Sequence, residues 1–147
     1  MLTHRNSNPS CLTKRRGNAI LDAAFVLPVL LALTFGSVEY GYFFFVKHSL
    51  QGAAREGARA AIVPDATNPK VTAAVAASLN AAGLNSSTTV LDPKFVLTLT
   101  PSNVTTATTG SSVTVEVDTT WGSVGVRPMG LIVASKTVRG ITVMRKE

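Results

Sequence analysis

The sequence predicts an α+β protein in which a long N-terminal transmembrane helix continues into a small extracytoplasmic domain made of a short helix and an antiparallel sheet. Three observations carry this. From Ala23 to Val46 the only charged side chain is Glu39; at about 1.5 Å per helical residue this stretch reaches about 36 Å, enough for a hydrocarbon core of about 30 Å. Lys14, Arg15 and Arg16 crowd its N-terminal flank, with no acid before them. In the C-terminal half, helical spacing gives way to alternation of Val, Leu and Thr, the pattern of half-buried strands.

Residues Met1 to Arg16 are polar, with Pro9 and several Ser, Asn and Thr, and read as a disordered leader. The chain then divides into a basic leader 1–17, a transmembrane helix 18–46, its extracytoplasmic continuation 47–63 and an α+β domain 64–147. The excess of Lys and Arg before the span keeps the N-terminus in the cytoplasm. Tyr40, Tyr42 and the run Phe43 to Phe45 fall toward the outer interface, where aromatic belts sit. Pro28 removes the amide that would bond back to Ala24 and should bend the helix.

Beyond the membrane, Leu50, Ala54, Ala58, Ala61 and Ile62 keep helical spacing, so the helix should run on to Val63 and stop in the breaker run Pro64 to Pro69. Asn68 as N-cap with Pro69 behind it opens a second helix, whose stripe of Val71, Val75 and Leu79 ends before Gly83. Phe95 to Thr100, Ser112 to Asp118 and Val138 to Met144 read as three strands, joined by a loop from Pro101 to Gly110 and an excursion from Gly122 to Gly130. Three short strands bury one face at most, so the sheet should pack on the second helix or on the end of the long one.

The formal charge of +6 is mostly a topology signal, since from Asn18 onward ten basic residues face eight acidic ones. No basic patch interleaved with aromatics supports a nucleic-acid partner. Cys11, the single cysteine, precedes the apolar segment, which excludes both an internal disulfide and lipid attachment at that residue. With only His4 and His48, no histidine-based metal cluster or triad can be assembled in the outer domain. No phosphate loop appears, and Glu116 and Asp118 alternate onto one solvated strand face, a weak cation site being the alternative. The expectation is a protein without catalytic residues, metal or cofactor.

The informative junction is Lys14-Arg15-Arg16-Gly17-Asn18-Ala19-Ile20-Leu21-Asp22. A basic segment, a glycine and then an acid precede the hydrophobic helix, the reverse of a secretory signal, where cleavage follows the hydrophobic core. Gly17 leaves the backbone unshielded for a protease at the cytoplasmic face, and its removal with the leader creates an α-amino group at Asn18. An acid slightly deeper is costly unless it meets a positive charge, and the amino terminus of a neighbouring subunit is a suitable one for Asp22. Each has a plainer reading: Gly17 as a flexible joint, Asp22 as a carboxylate among headgroups. Glu39 either snorkels to the interface or pairs across a helix contact. Gly36, Gly41, Gly52 and Gly57 let another helix approach closely, and Arg55, Glu56 and Arg59 form an exposed face.

The stretch Arg15 to Asp22, then Phe25 to Leu31 with Pro28 within it, Phe35 to Gly41 and Ala53 to Arg59, resembles the TadE-like family, the pseudopilins of tight-adherence pilus systems. The terminal Val143 to Glu147 is similar to the family's last strand. The resemblance implies a pilin-like fold, cleavage after Gly17 by a prepilin peptidase, retention in the bacterial inner membrane, and assembly with other pilins or pseudopilins and pilus assembly proteins. One departure is Asp22, where the family usually has Glu; Asp keeps the charge and loses a methylene of reach. The rival reading is a signal-anchored envelope protein whose outer domain binds a ligand or a protein.

Overall fold

The computed structural model describes residues 13–147, with side chains from Ala19 onward. The expectations for the rest of the leader, including Cys11 and His4, lie outside the described residues. Helix α1 runs from Thr13 to Ile62, 50 residues and about 75 Å long. The helix therefore already includes the four residues before Gly17, so the end of the basic segment is helical where the sequence reads as disorder. Pro28 sits inside the helix without interrupting it. The long run of Ala, Leu, Val and Gly offers no other breaker until Pro64.

Helix α2, Asn68–Ala81, buries Val71, Val75, Ala76 and Leu79. Its N-cap is Thr67, which makes no side-chain cap bond. Asn68 has other work: its Nδ2 donates to the Ser102 carbonyl at 2.8 Å and its Oδ1 accepts from the Val104 amide at 3.0 Å. That bridge ties the start of α2 to the single 3-10 turn Val104–Thr106. Gly83, at φ +71, follows the helix in the left-handed conformation that glycine adopts without a steric penalty.

The sheet is an antiparallel meander, β1 (Phe95–Thr100), β2 (Ser112–Thr120) and β3 (Thr137–Arg145), in that spatial order. Its register pairs Leu97 with Val117 and Val117 with Gly140. A short helix α3, Trp121–Val124, opens the excursion between β2 and β3. The buried face of the central strand, Val113, Val115 and Val117, lies in one cluster with Leu50, Ala53, Ala54 and Ala58 of α1 and Val71, Val75 and Leu79 of α2. The C-terminal half of α1 is thus the central beam of the domain, with the sheet and α2 laid upon it.

Two glycines set how closely these layers meet. A Cβ on Gly57 would stand 2.6 Å from Val75 Cγ2 and 3.2 Å from Val115 Cγ1, and one on Gly140 would overlap the Leu50 carbonyl group. Contacts that tight need glycine on one side. The C-terminus is pinned to the same beam by the Glu147 amide, which donates to the Ile62 carbonyl at 3.2 Å, and to the 3-10 turn by the buried Lys146 ammonium, which donates to the Val104 carbonyl at 3.1 Å.

The core also reaches further down α1 than a span of 18–46 supposes. Val46, the last residue of that span, is fully buried in the domain. Phe43 meets the Trp121 ring edge-on at a centroid distance of 5.3 Å, and Tyr42 lies 6.0 Å from the same ring. The aromatic run therefore divides, with Tyr42 and Phe43 turned into the domain and Tyr40, Phe44 and Phe45 left exposed.

Candidate functional site

Below the domain α1 is bare. From Ala19 to Phe35 every residue is exposed, including Phe25 at 73% and Leu33 at 70%. About 2 kcal/mol of transfer free energy is forgone for each Leu or Phe left in water, a penalty that only lipid or other helices remove. The helix is long and apolar enough to cross a membrane. Lys14, Arg15, Arg16, Gly17 and Asn18 occupy its first turns, continuous with the span. Asp22 follows one turn later on an exposed part of the helix. Among the described residues it makes no ion pair.

Glu39 has an intrachain environment. Its side chain is 0% exposed, and its carboxylate accepts the Ile132 amide at 2.9 Å and the Met129 amide at 3.3 Å. Within the single chain the Glu39 carboxylate is thus bonded to the excursion that follows α3. Gly130, at φ +66, turns the chain between those two amides so that both point at one carboxylate. Neither partner is legible from residue types, because the donors are main-chain N–H groups some ninety positions away. The available signal is compositional: the segment from Val126 to Val133 holds Val, Met, Leu and Ile beside Pro and Gly, an apolar loop where solvated loops are polar.

The small residues expected to line a helix contact separate into two groups. Gly57 is inside the domain core, and Gly36 lies beneath Leu131, whose Cδ1 is 3.5 Å from where a Cβ would be. Gly41 and Gly52 meet nothing within 4 Å and remain open to a second helix. On the outer sheet face Glu116 and Asp118 converge on Arg139, with N–O distances of 2.7 and 2.9 Å. The Asp118 carboxylate, and Glu116 after it, hold the guanidinium pKa above its ordinary value. Arg139 fills the place a weakly bound cation would take. Arg59 and Glu56 form the expected i, i+3 pair at 3.5 Å on the exposed face.

No curated protein and no solved structure matches the chain. A family model does, and it covers the beam and the span rather than the sheet, stopping well short of Val143 to Glu147. Over residues 17–59, from the junction glycine to Arg59 in the last turn of α1, the chain matches the TadE-like protein family.

Proposed function

We propose that this protein is a pseudopilin of a tight-adherence pilus system, held in the bacterial inner membrane with its N-terminus inside, and that it acts by packing its helix against other pilin-type subunits. It is a substrate of a prepilin peptidase and not an enzyme. The observation that carries this reading is a bare apolar helix that begins at a basic, glycine-closed junction and matches the TadE-like family from that glycine onward. A helix without cover from its own domain needs lipid first and neighbouring helices second. Gly41 and Gly52 supply positions where a neighbour approaches without a side chain in the way.

Processing gives the direct test. Co-expressed with an active prepilin peptidase, the protein is expected to lose Met1 to Gly17 and to present Asn18 as its first residue in an intact-mass measurement. Recovery of the full-length mass alone would leave the signal-anchored reading in its place. Gly17→Leu should block cleavage while insertion persists, because the span itself is unchanged.

Asp22 gives the second test. An acid at a helix centre in the membrane costs about 2.5 to 3.5 kcal/mol, and less near the end. If Asp22 offsets that cost by meeting the α-amino group of a neighbouring Asn18, Asp22→Ala inserts at least as well as wild type yet loses co-purifying pilins. Asp22→Glu retains them, since the charge is kept and the reach grows. Equal recovery of partners with all three proteins, at matched expression and processing, would exclude the pairing.

A further inference from the structure

The excursion between β2 and β3 does not stay on the domain. It starts at Trp121, against Tyr42 and Phe43, and descends along α1 to Leu131, which rests on Gly36. Seven residues of helix separate Phe43 from Gly36, a descent of about 10 Å toward the span. On the way the loop exposes Val126 at 51%, Met129 at 43%, Leu131 at 50% and Val133 at 68%. Its charges are Arg127 and Lys136, and no acid occurs between Asp118 and Glu147.

The level of that descent follows from the helix. Measured from Ala19, three residues after Arg16, a hydrocarbon core of about 30 Å is crossed in about twenty residues, which ends it at Val38. Glu39 then stands at the outer hydrocarbon edge and Gly36 about 4.5 Å inside it. Leu131 shares the level of Gly36. Irregular backbone at such a depth is tolerated only where its polar groups are satisfied by protein. Two of the loop's amides, those of Met129 and Ile132, are satisfied through Glu39, and the same two bonds relieve the carboxylate of its own cost at the membrane edge.

We infer that the loop Val126–Val133 is a second membrane-contact element, which lays Val126, Met129, Leu131 and Val133 into the outer leaflet beside α1, with Arg127 at the level of the lipid phosphates. The inference rests on α1 spanning the membrane. Its occupant is lipid, because the loop is continuous with the span, is apolar at its tip, and carries only positive charge where anionic headgroups lie. Two points of contact, helix and loop, fix the rotation of the domain about the helix axis, so the same faces of the subunit are always presented to its neighbours.

The test uses the full-length protein with Cys11→Ser, which removes the single native cysteine. New cysteines at Leu131→Cys and Val133→Cys, at Val29→Cys in the span and at Val90→Cys in the domain carry an environment-sensitive fluorophore, in vesicles of phosphatidylcholine and phosphatidylglycerol. Lipids brominated in the acyl chain and aqueous iodide on both sides serve as quenchers. The expected result is loss of emission to brominated lipid, a blue shift, and protection from iodide at positions 131 and 133, as at 29 and unlike 90. Iodide quenching at 131 and 133 with lipid quenching at 29 overturns the loop contact and leaves the span intact. Iodide quenching at 29 overturns both. Protection of 131 and 133 from both quenchers means that protein, such as a second copy, covers the loop, and overturns lipid as the occupant.

Discussion

Gly140→Val is expected to leave α1 in the membrane and to unfold the domain attached to it. Gly140 lies in β3 where the strand crosses the helix, and a Cβ there would overlap the Leu50 carbonyl group and stand 2.7 Å from the Gln51 amide nitrogen. Both obstacles are helix backbone, so no side-chain rotation relieves the overlap. The same crossing is fastened by Gln51, whose Nε2 donates to the Ile141 carbonyl at 2.7 Å and whose Oε1 accepts the Ile141 amide at 3.3 Å. Moving the strand away breaks both bonds and opens the core over Leu50. Overpacking alone costs about 1–3 kcal/mol and more where nothing can give, against a total stability of about 5–15 kcal/mol for a domain. Limited proteolysis of the reconstituted protein is the measurement, with Gly52→Ala as the comparison. A Cβ at Gly52 meets nothing within 4 Å, and the change gains about 1 kcal/mol of helix propensity. Equal protease resistance of Gly140→Val and Gly52→Ala would mean that the sheet does not bear on the helix at this point.

The elements with a period were legible and those built on distant main-chain groups were not. The stripe Leu50, Ala54, Ala58 and Ala61, the stripe Val71, Val75 and Leu79, and the alternation of Val113, Val115 and Val117 all lie buried, because a helix and a strand each repeat their inner face at a fixed interval. Strand limits shift by a residue or two, as hydrogen-bonded pairing extends β2 to Thr120 and β3 to Arg145. Glycines in α1 look alike in sequence, yet Gly57 is pressed by Val75 and Val115 while Gly41 is open; the difference is made by residues that fold back from elsewhere. Asn68 has the residue type of a cap, and tertiary partners at Ser102 and Val104 draw its side chain away. The excursion after Trp121 has no period to read, and its anchor is a carboxylate bonded to N–H groups that every residue type except proline carries.

The other large effect is expected at Glu39. Glu39→Ala removes the acceptor shared by the Met129 and Ile132 amides and leaves both without that partner. A buried amide without a partner costs about 1–3 kcal/mol, and these two part-buried bonds with the Leu131 contact on Gly36 fasten the tip of the loop to α1. The loop should come away from α1 while Trp121 stays, since the indole is fully buried against Tyr42 and Phe43. Glu39→Gln keeps one carbonyl oxygen and so one of the two bonds, and should fall between wild type and alanine. Glu39→Asp retains the charge with one methylene less and is expected to reach neither amide well. Hydrogen exchange of the reconstituted protein reads this directly: protection over residues 125–136 should drop most in Glu39→Ala, less in Glu39→Gln, with α1 and the sheet unchanged. If Glu39 instead served a neighbouring subunit, Glu39→Ala would lose co-purifying pilins and leave exchange in the loop as it was. Unchanged protection of residues 125–136 in Glu39→Ala would therefore remove Glu39 as the anchor of the loop.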